Sequence, residues 1–566
     1  MGVGASVKST GLSNESSGVH EVYLPEKSLL EWGIAALLFV LSVLYLWPFC
    51  NLSTLHPDEG ITLQGAQRIL SGQVLYGDFF CFYTPGSYYW LALRFKIFGD
   101  SFLVARAALL LYGGIFSVVT YMLARRVCSR WIAVLTAYLL LILSLPFRFL
   151  VLHNWDSILA AFLAVYCAVR LLETPRWGWA FATGTLASLT FLFEQSKGVG
   201  LILGLALGFF LIAFRRAHRP FLSRSCSAAM LGGLAWPVVV TVVYFASKHC
   251  LIPMLADWFW PLQHYSGANR LPYAYINIPF EAWDELYGGE LMHRLLGIIL
   301  TSPFFIVPVL PFLALGLMIF QTYRTRREER VTPVARYHMM ICAASLGLVL
   351  SALATGRTDY QHLLYVGPPL FLVLGWVLGG RPVPSQLLAK LQPLCVAYVL
   401  IAFTAFGLIL LVSGPLSAKA RLETRRGVLA LSGPDAVIPY VMNHVAAGDK
   451  IFVYPYQPMY YFLTATFSPT RYEYLQLGMH APDQMKQAMD ELASDRTKVV
   501  LYAPSFNTET VSEVWPATPQ HVLAVDPVRD FIFSHYRPCR PLESFQWRFV
   551  YMVRRDLRCP GEISSP

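Results

Sequence analysis

The chain is poor in charged residues, and this scarcity decides its class. Asp, Glu, Lys and Arg make up 14% of its 566 residues, whereas 56% are hydrophobic and the mean hydropathy is +0.50. Soluble domains carry about a quarter charged residues, so a polytopic membrane protein is predicted instead. The net charge of +10 is ordinary for a membrane protein with basic cytoplasmic loops. It does not indicate nucleic-acid binding.

Several patterns that would indicate other functions are also missing. The ten cysteines show no CxxC or His/Cys spacing, so no metal site is predicted. The C-terminal region has neither GxGxxG nor a P-loop, so no nucleotide is assigned to it. The first apolar run starts near Leu29 and is long enough to be an anchor, so no cleavable signal peptide is expected. The candidate disulfides, on the side predicted to be oxidising, are Cys50 with Cys81 and Cys539 with Cys559.

Eleven apolar runs are predicted to be membrane spans, although the fourth to sixth are shorter than the roughly 20 residues that cross the hydrocarbon core. Lysines and arginines concentrate in the short loops of one side, which we expect to be cytoplasmic. With the N-terminus inside and an odd number of spans, everything after Val412 lies outside. The predicted spans are 29–49, 102–124, 131–149, 157–172, 178–194, 198–214, 228–247, 294–320, 337–355, 363–379 and 393–413.

The expected fold is therefore mainly α-helical and polytopic, followed by an extracytoplasmic α/β domain. Residues 1–28 form a cytoplasmic tail, residues 29–413 the transmembrane domain and residues 414–566 the outer domain. Charged residues become frequent in this last part, and its apolar runs shorten. Its predicted elements are buried strands at 450–455 and 498–503, an amphipathic helix at 482–494 and a terminal strand at 545–555.

The first external loop, residues 50–101, is the strongest candidate for an active site. Loops longer than about 15 residues are usually either functional or disordered. This one is too rich in apolar and aromatic residues to be disordered. It carries adjacent carboxylates, Asp58 and Glu59, which raise each other's pKa when desolvated and suit a general base. The alternative interpretation is loop charge that is simply solvated.

Further polar groups fall on the same predicted face of the membrane. Asp156 lies at the outer end of a span, where ionisable residues are usually functional, or it caps the next helix. Lys197 either holds a lipid phosphate or pairs with Glu194. Arg357 and His362 bind phosphate or a sugar hydroxyl, unless they extend to the lipid headgroups.

A family resemblance rests on the segments PDEG, GAQRILSGQVLYGDFF and YTPGSYYWLALRFKIFGDSFLVAR. Together they resemble the first external loop of the GT-C membrane glycosyltransferases. The similarity points to the branch of the protein O-mannosyltransferases and the bacterial lipid A aminoarabinose transferases. HNWDS, FEQSK and RTDYQHLLYVGPP follow in similar order, and the resemblance covers most of residues 29–410.

The resemblance implies a glycosyltransferase that moves a sugar from a polyprenyl phosphate to an acceptor at the outer membrane face. It implies single displacement with inversion and a single base, Asp58. The bilayer and the lipid-linked sugar are then the expected partners, and the inner membrane is the expected location. The other expected site residues are Glu59 and Asp156 in support, Lys197, Arg357 and His362 at the donor phosphate, and Tyr83 and Tyr360 at the substrate.

Several points stay open at this level. Tyr83-Thr84-Pro85-Gly86 stands where the aminoarabinose transferases have a lysine before two prolines, which argues against lipid A as substrate. The acceptor is a protein hydroxyl, a lipid headgroup or a cell-surface glycan. A divalent cation near the carboxylates is an alternative that no ligand spacing demands. The alternative function is a transporter or flippase of lipid-linked sugars, although the chain shows no repeat halves and its charges cluster on one face.

Overall fold

Helices dominate this computed structural model, as the sequence predicted. It describes residues 28–214, 223–265, 269–276, 287–325, 331–379, 386–506 and 508–561. Almost all of the predicted cytoplasmic tail, residues 1–28, lies outside these ranges. The helices up to residue 413 are α1 (Leu29–Leu46), α2 (Pro57–Leu70), α3 (Gly86–Phe98), α4 (Phe102–Ala124), α5 (Arg130–Leu143), α6 (His153–Glu173), α7 (Trp177–Phe193), α8 (Gln195–Phe214), α9 (Arg224–Ser247), α10 (Leu251–Gln263), α11 (Leu291–Arg324), α12 (Pro333–Ala354), α13 (Tyr360–Val366), α14 (Leu370–Leu378) and α15 (Gln386–Ser413).

Each of the predicted spans coincides with helical structure. Within the described ranges, nine helices are long and apolar enough to cross a membrane, or ten if one bent pair counts as a span. That pair is α13 and α14, which meet at 82°. Pro368 and Pro369 lie at the bend, where a proline ring and its missing N–H interrupt the helix. The helix α7 matches the predicted span 178–194 with 17 residues.

The spans α8 and α12 pack with their backbones in contact. Gly200, Gly204 and Gly208 recur every four residues, which places them on one face of α8. A Cβ atom added to Gly204 would lie 2.6 Å from the carbonyl oxygen of Ala343. One added to Gly347 would lie 2.2 Å from the carbonyl oxygen of Gly200. Small residues permit this close approach between membrane helices.

The residues after Ser413 form short helices and most of two small sheets, and all four predicted elements are present. In the larger sheet, with order β4-β5-β7-β6, β4 runs parallel to β5 and the other pairs are antiparallel. The strands are β1 (Leu52–Ser53), β2 (Ala420–Thr424), β3 (Gly427–Leu431), β4 (Phe452–Tyr454), β5 (Val499–Tyr502), β6 (Tyr536–Glu543) and β7 (Arg548–Arg554). The helices are α16 (Val437–His444), α17 (Met459–Leu463), α18 (Pro482–Asp495), α19 (Thr508–Val514), α20 (Gln520–Leu523) and α21 (Pro527–His535).

The first loop is folded together with this C-terminal region. Strand β1, just after the first span, pairs in parallel with β3 in the smaller sheet. Helix α2 packs so closely on α17 that a Cβ atom on Gly60 would lie 2.2 Å from the backbone nitrogen of Met459. The Arg426 guanidinium donates to the Gln67 side-chain oxygen at 2.9 Å. Loop and C-terminal region therefore form one layer over one end of the helix bundle.

Basic residues mark the opposite end of the bundle. The Glu31 carboxylate is fully buried there and accepts hydrogen bonds from Arg125 and Arg130. Arg126, just after α4, pairs with Glu173 at the end of α6. This is the arginine-rich side that the sequence predicts to be cytoplasmic.

One of the two predicted disulfides is present. Cys539 and Cys559 are bonded. Cys50 and Cys81 are both free and buried, so the prediction that they pair is wrong. Cys50 directly follows α1, whereas the Cys81 backbone N–H donates to Asp257 of α10 at 3.3 Å.

The contact between α8 and α12 makes the substitution Gly204→Ala a test of the packing. The added methyl group has no room beside Ala343, so we expect a loss of about 1–3 kcal/mol in stability. Thermal unfolding of the purified protein in detergent measures it. Gly316→Ala is the matched control, because nothing lies within 4 Å of a Cβ atom on that helical glycine. Equal unfolding temperatures for the two variants would contradict the packing.

Candidate active site

A cavity of about 730 Å³ lies between the bundle end and the outer layer. Asp58, Arg148 and Arg357 line its polar part, and Val199 and Leu203 of α8 line its apolar part with neighbouring residues of α12. A cavity that joins charges to an apolar groove fits an amphiphile with a charged head and a hydrocarbon chain.

Asp58 is presented to this cavity by the start of α2. The helix begins at Pro57, and the His56 side chain caps it by accepting the Asp58 backbone N–H at 3.2 Å. A carboxylate in the first helical turn is stabilised by the helix dipole. The Asp58 side chain is 42% exposed. Its Oδ1 accepts a hydrogen bond of 2.7 Å from the Tyr456 hydroxyl.

The electrostatics keep Asp58 ionised. Burial in the cavity favours the neutral acid, but His56, the hydrogen bond from Tyr456 and the charges of Arg148 and Arg357 together hold the pKa of Asp58 below its ordinary value. Burial lowers the pKa of His56 to about 4, so this imidazole is neutral at pH 7. Burial, and then the Asp58 charge, raise the pKa of Tyr456, which therefore remains a donor.

Glu59 points the other way, because neighbouring residues of an α-helix diverge by about 100°. Its side chain is fully buried, and its two oxygens accept hydrogen bonds of 2.5 and 2.6 Å from the Arg106 guanidinium of α4. The backbone N–H of Val151 donates to it at 2.9 Å. The structure therefore does not bring Glu59 into the cavity with Asp58. Glu59 instead connects α2 to the helix bundle through Arg106 of α4.

Asp156 also lies behind the cavity wall. The helix α6 already begins at His153, so the interpretation of Asp156 as the cap of a helix starting at the next residue is wrong. The carboxylate accepts a hydrogen bond of 2.6 Å from the Tyr112 hydroxyl. Its exposed fraction is 6%, which leaves it as a buried link between α4 and α6.

Lys197 and Tyr360 are likewise turned into the protein. Lys197 donates to Glu194 at 2.7 Å and to the Asn154 side-chain oxygen at 2.6 Å. Of the two interpretations that the sequence allowed, the structure shows the pairing with Glu194. The Tyr360 side chain is 1% exposed and packs in a cluster of phenylalanine rings.

Arg357, His362 and Tyr83 line the cavity, where the sequence predicted a site. Burial opposes the charge of Arg357, but Tyr265 and Asp359 raise its pKa, so it stays cationic. His362 Nδ1 lies 2.7 Å from Asp359 Oδ1. The Tyr83 ring centre lies 3.9 Å from the ring centre of His153.

Sequence reasoning missed Arg148 and all the C-terminal residues of the cavity. Arg148 donates from Nε to the Tyr365 hydroxyl at 3.2 Å and lines the cavity. Arg148 lies at the outer end of an apolar run. The sequence feature that could have indicated its role is an arginine between aromatic residues at a membrane boundary. The C-terminal lining residues are Tyr456, Tyr474, Gln476, Met479 and Trp515.

The cavity offers no obvious set of metal ligands. Among the residues that the structure describes, no three His, Cys, Asp or Glu side chains are grouped so that they could hold a metal ion. We therefore assign no step to a metal. The divalent cation considered from the sequence stays an untested alternative.

Comparison with known proteins finds a family model that matches part of the chain. Residues 83–245 match the family model described as dolichyl-phosphate-mannose-protein mannosyltransferase. No curated protein is similar enough in sequence to match this chain. At the identities found among solved structures, a similarity shows the fold alone.

Two similar structures are of ArnT from Cupriavidus metallidurans. Its apo form has a TM-score of 0.54 and 12% identity, covering 92% of this chain and 98% of ArnT. The form bound to undecaprenyl phosphate has a TM-score of 0.51 and 13% identity, covering 94% and 100%. The oligosaccharyltransferase of Archaeoglobus fulgidus has a TM-score of 0.52 and 12% identity, covering 92% and 72%. The match over residues 83–245 and the fold shared over nearly the whole chain confirm the resemblance to the GT-C membrane glycosyltransferases that the sequence predicted.

Proposed function

We propose that this protein moves a sugar from a polyprenyl-phosphate donor to an acceptor at the outer face of the membrane. One observation carries the proposal: a single cavity joins the ionised Asp58, the guanidinium groups of Arg148 and Arg357, and an apolar groove along α8 and α12. A base, two cations and a lipid groove are the parts that such a transfer needs.

The reaction is an inverting single displacement. The acceptor oxygen attacks the anomeric carbon on the side opposite the phosphate, and Asp58 accepts the proton of the acceptor hydroxyl. The bond between the anomeric carbon and the phosphate oxygen breaks, and the polyprenyl phosphate departs with the electron pair. A phosphate leaves as an anion, so no second carboxyl group is needed to protonate it, unlike in most glycosidases.

The cavity residues divide these tasks. The Tyr456 hydroxyl donates a hydrogen bond to Asp58 Oδ1, so Asp58 Oδ2 is the oxygen that accepts the proton of the acceptor hydroxyl. Because the pKa of Asp58 is below its ordinary value, the proton moves late, when the new bond to the sugar is largely formed. Arg148 and Arg357 stabilise the charge that develops on the phosphate. His362 is a further polar contact for it.

The proposed orientation puts the N-terminus in the cytoplasm and the cavity outside the inner membrane. The buried arginine clusters around Glu31 and Glu173 support it, because they lie at the bundle end away from the cavity and basic residues favour the cytoplasmic side. No feature of the described residues favours the transporter alternative. The reacting groups lie at one end of the bundle, whereas transporter sites lie near the midplane.

Asp58→Asn is expected to lower the rate of transfer by about 10²–10⁴-fold, since it removes the general base without removing volume. The assay follows radiolabelled sugar from a polyprenyl-phosphate donor to membranes of a strain that lacks the gene. The unfolding temperature in detergent should change little. Full transfer by purified Asp58→Asn would remove the base assignment.

Glu59→Gln is the matched comparison, one residue along the same helix. It leaves Arg106 buried without its counter-charge, so we expect a loss of about 3–5 kcal/mol in stability. The fraction that remains folded should still transfer sugar. A stable Glu59→Gln protein without transfer would show that transfer needs the Glu59 carboxylate itself, in the reaction or in the orientation of Asp58.

Arg148→Gln and Arg357→Gln should each weaken binding of undecaprenyl phosphate by about tenfold, because a charge-assisted contact to the phosphate is lost. Titration of the lipid against the detergent-solubilised protein measures the affinity. Arg294→Gln serves as control, since this arginine lies outside the cavity and donates to the Gly289 carbonyl oxygen. Unchanged affinity in both cavity variants would rule out the phosphate assignment.

A cysteine in place of Asp490 tests the orientation. This residue is 66% exposed on α18 of the C-terminal region. In a Cys395→Ser background, which removes the exposed free cysteine of the described residues, a membrane-impermeant maleimide should label it in intact cells. Arg176→Cys, at the other bundle end, should react only after permeabilisation. Labelling of the Arg176→Cys protein in intact cells, with labelling of the Asp490→Cys protein only after permeabilisation, would contradict the proposed topology.

A further inference from the structure

Tyr365 of α13 contacts three basic side chains at or beside the cavity. Its hydroxyl accepts a hydrogen bond of 3.2 Å from Arg148 Nε. The Lys197 ammonium nitrogen lies over its ring, 5.5 Å from the ring centre. The His362 ring meets it edge to face at 87°, with 5.9 Å between centres. The Tyr365 side chain is 2% exposed and reaches the cavity wall, so it is placed to organise these groups from behind.

Arg148 depends on side-chain contacts for its position, because its backbone is not part of an α-helix. It ends a short 3₁₀ turn, Leu145–Arg148, between α5 and α6. Its backbone carbonyl oxygen accepts a hydrogen bond of 3.0 Å from the indole N–H of Trp155. An arginine side chain has many rotamers when nothing restrains it. The bond to Tyr365 therefore selects the direction of the guanidinium.

The bond to Tyr365 uses only the inner nitrogen of the guanidinium, Nε. The two terminal nitrogens of Arg148 have no hydrogen-bond partner among the described residues, and Arg148 lines the cavity. Two parallel N–H groups of an arginine match two oxygens of a phosphate. Arg148 is thus held at Nε and can bind the donor phosphate through Nη1 and Nη2.

The Tyr365 ring is itself held in place by its neighbours. The Trp155 ring, which is fully buried, meets it edge to face at 86° with 5.1 Å between centres. The Lys197 ammonium over its face is fixed by Glu194 at 2.7 Å. Trp155 therefore restrains Arg148 twice, directly at the backbone carbonyl and indirectly through Tyr365.

We propose that Tyr365 is a positioning residue, whose hydroxyl holds Arg148 by Nε so that both terminal nitrogens face the phosphate of the lipid donor. This inference rests on the proposed function and adds to its phosphate site a residue that acts through Arg148. A phenylalanine at this position would keep the packing against Trp155 and Lys197 and would lose this one hydrogen bond.

Binding of undecaprenyl phosphate to the purified full-length protein in detergent tests the proposal. Tyr365→Phe removes the hydroxyl and keeps the ring, so we expect the affinity to fall about fivefold. Tyr360→Phe is the matched control: Tyr360 lies on the same helix, its buried hydroxyl has no partner among the described residues, and it does not line the cavity. The control should bind as the wild type does, and the two variants should unfold at similar temperatures.

A double-mutant cycle separates positioning from a general loosening of the fold. In an Arg148→Gln background, Tyr365→Phe should cause no further loss of affinity, because the hydroxyl then has no guanidinium to hold. A change in the packing around Tyr365 would instead lower the affinity to the same extent in both backgrounds.

Two results would overturn the proposal. One is a Tyr365→Phe protein that binds the lipid as tightly as the wild type does. The other is an equal loss of affinity in the wild-type and Arg148→Gln backgrounds. Failure of the proposed phosphate site would look different, since Arg148→Gln would then leave the affinity unchanged. Failure of this inference alone would leave the effect of Arg148→Gln intact.

Discussion

The arrangement of the site depends on one buried ion pair, between Glu59 and Arg106. Both side chains are essentially inaccessible to solvent, so each would be an uncompensated buried charge without the other. The pair fixes the rotation of α2 about its own axis against α4. Since successive side chains diverge around a helix, anchoring Glu59 in the bundle directs Asp58 outward into the cavity. The buried Glu59 carboxylate thus sets the direction of the Asp58 carboxylate, the proposed base.

Asp58, the proposed base, is also held from the opposite side. Tyr456, from the C-terminal region, donates to Asp58, and α2 packs against α17 at Gly60. The membrane bundle supplies the cations and the apolar groove, whereas the outer region supplies neutral aromatic and amide groups. The cavity is therefore a joint product of the two parts of the chain, and neither part contains a complete site.

Local sequence patterns predicted much of this structure and only part of the site. Apolar runs predicted the membrane spans, and the PDEG segment of the first loop predicted Asp58 as a site residue. Both predictions were possible because each pattern lies within a short stretch of sequence. Glu59 has the same chemistry as its neighbour, so only the helical rotation of α2 separates their roles. The sequence allowed Lys197 to be a phosphate ligand, whereas in the structure this side chain donates to Glu194. Tyr456 lies 398 residues from Asp58, and no local pattern links residues so far apart.

The parallel pairing of β1 with β3 has a consequence for biosynthesis. Leu52, which follows the first span, lies opposite Ala430, which follows the last one. At about 5–20 residues per second, the ribosome makes the second strand on the order of a minute or less after the first. During that interval β1 has no partner strand. The cavity around Asp58 is thus completed only after the C-terminal region has been made, because Tyr456 and other residues of that region line it.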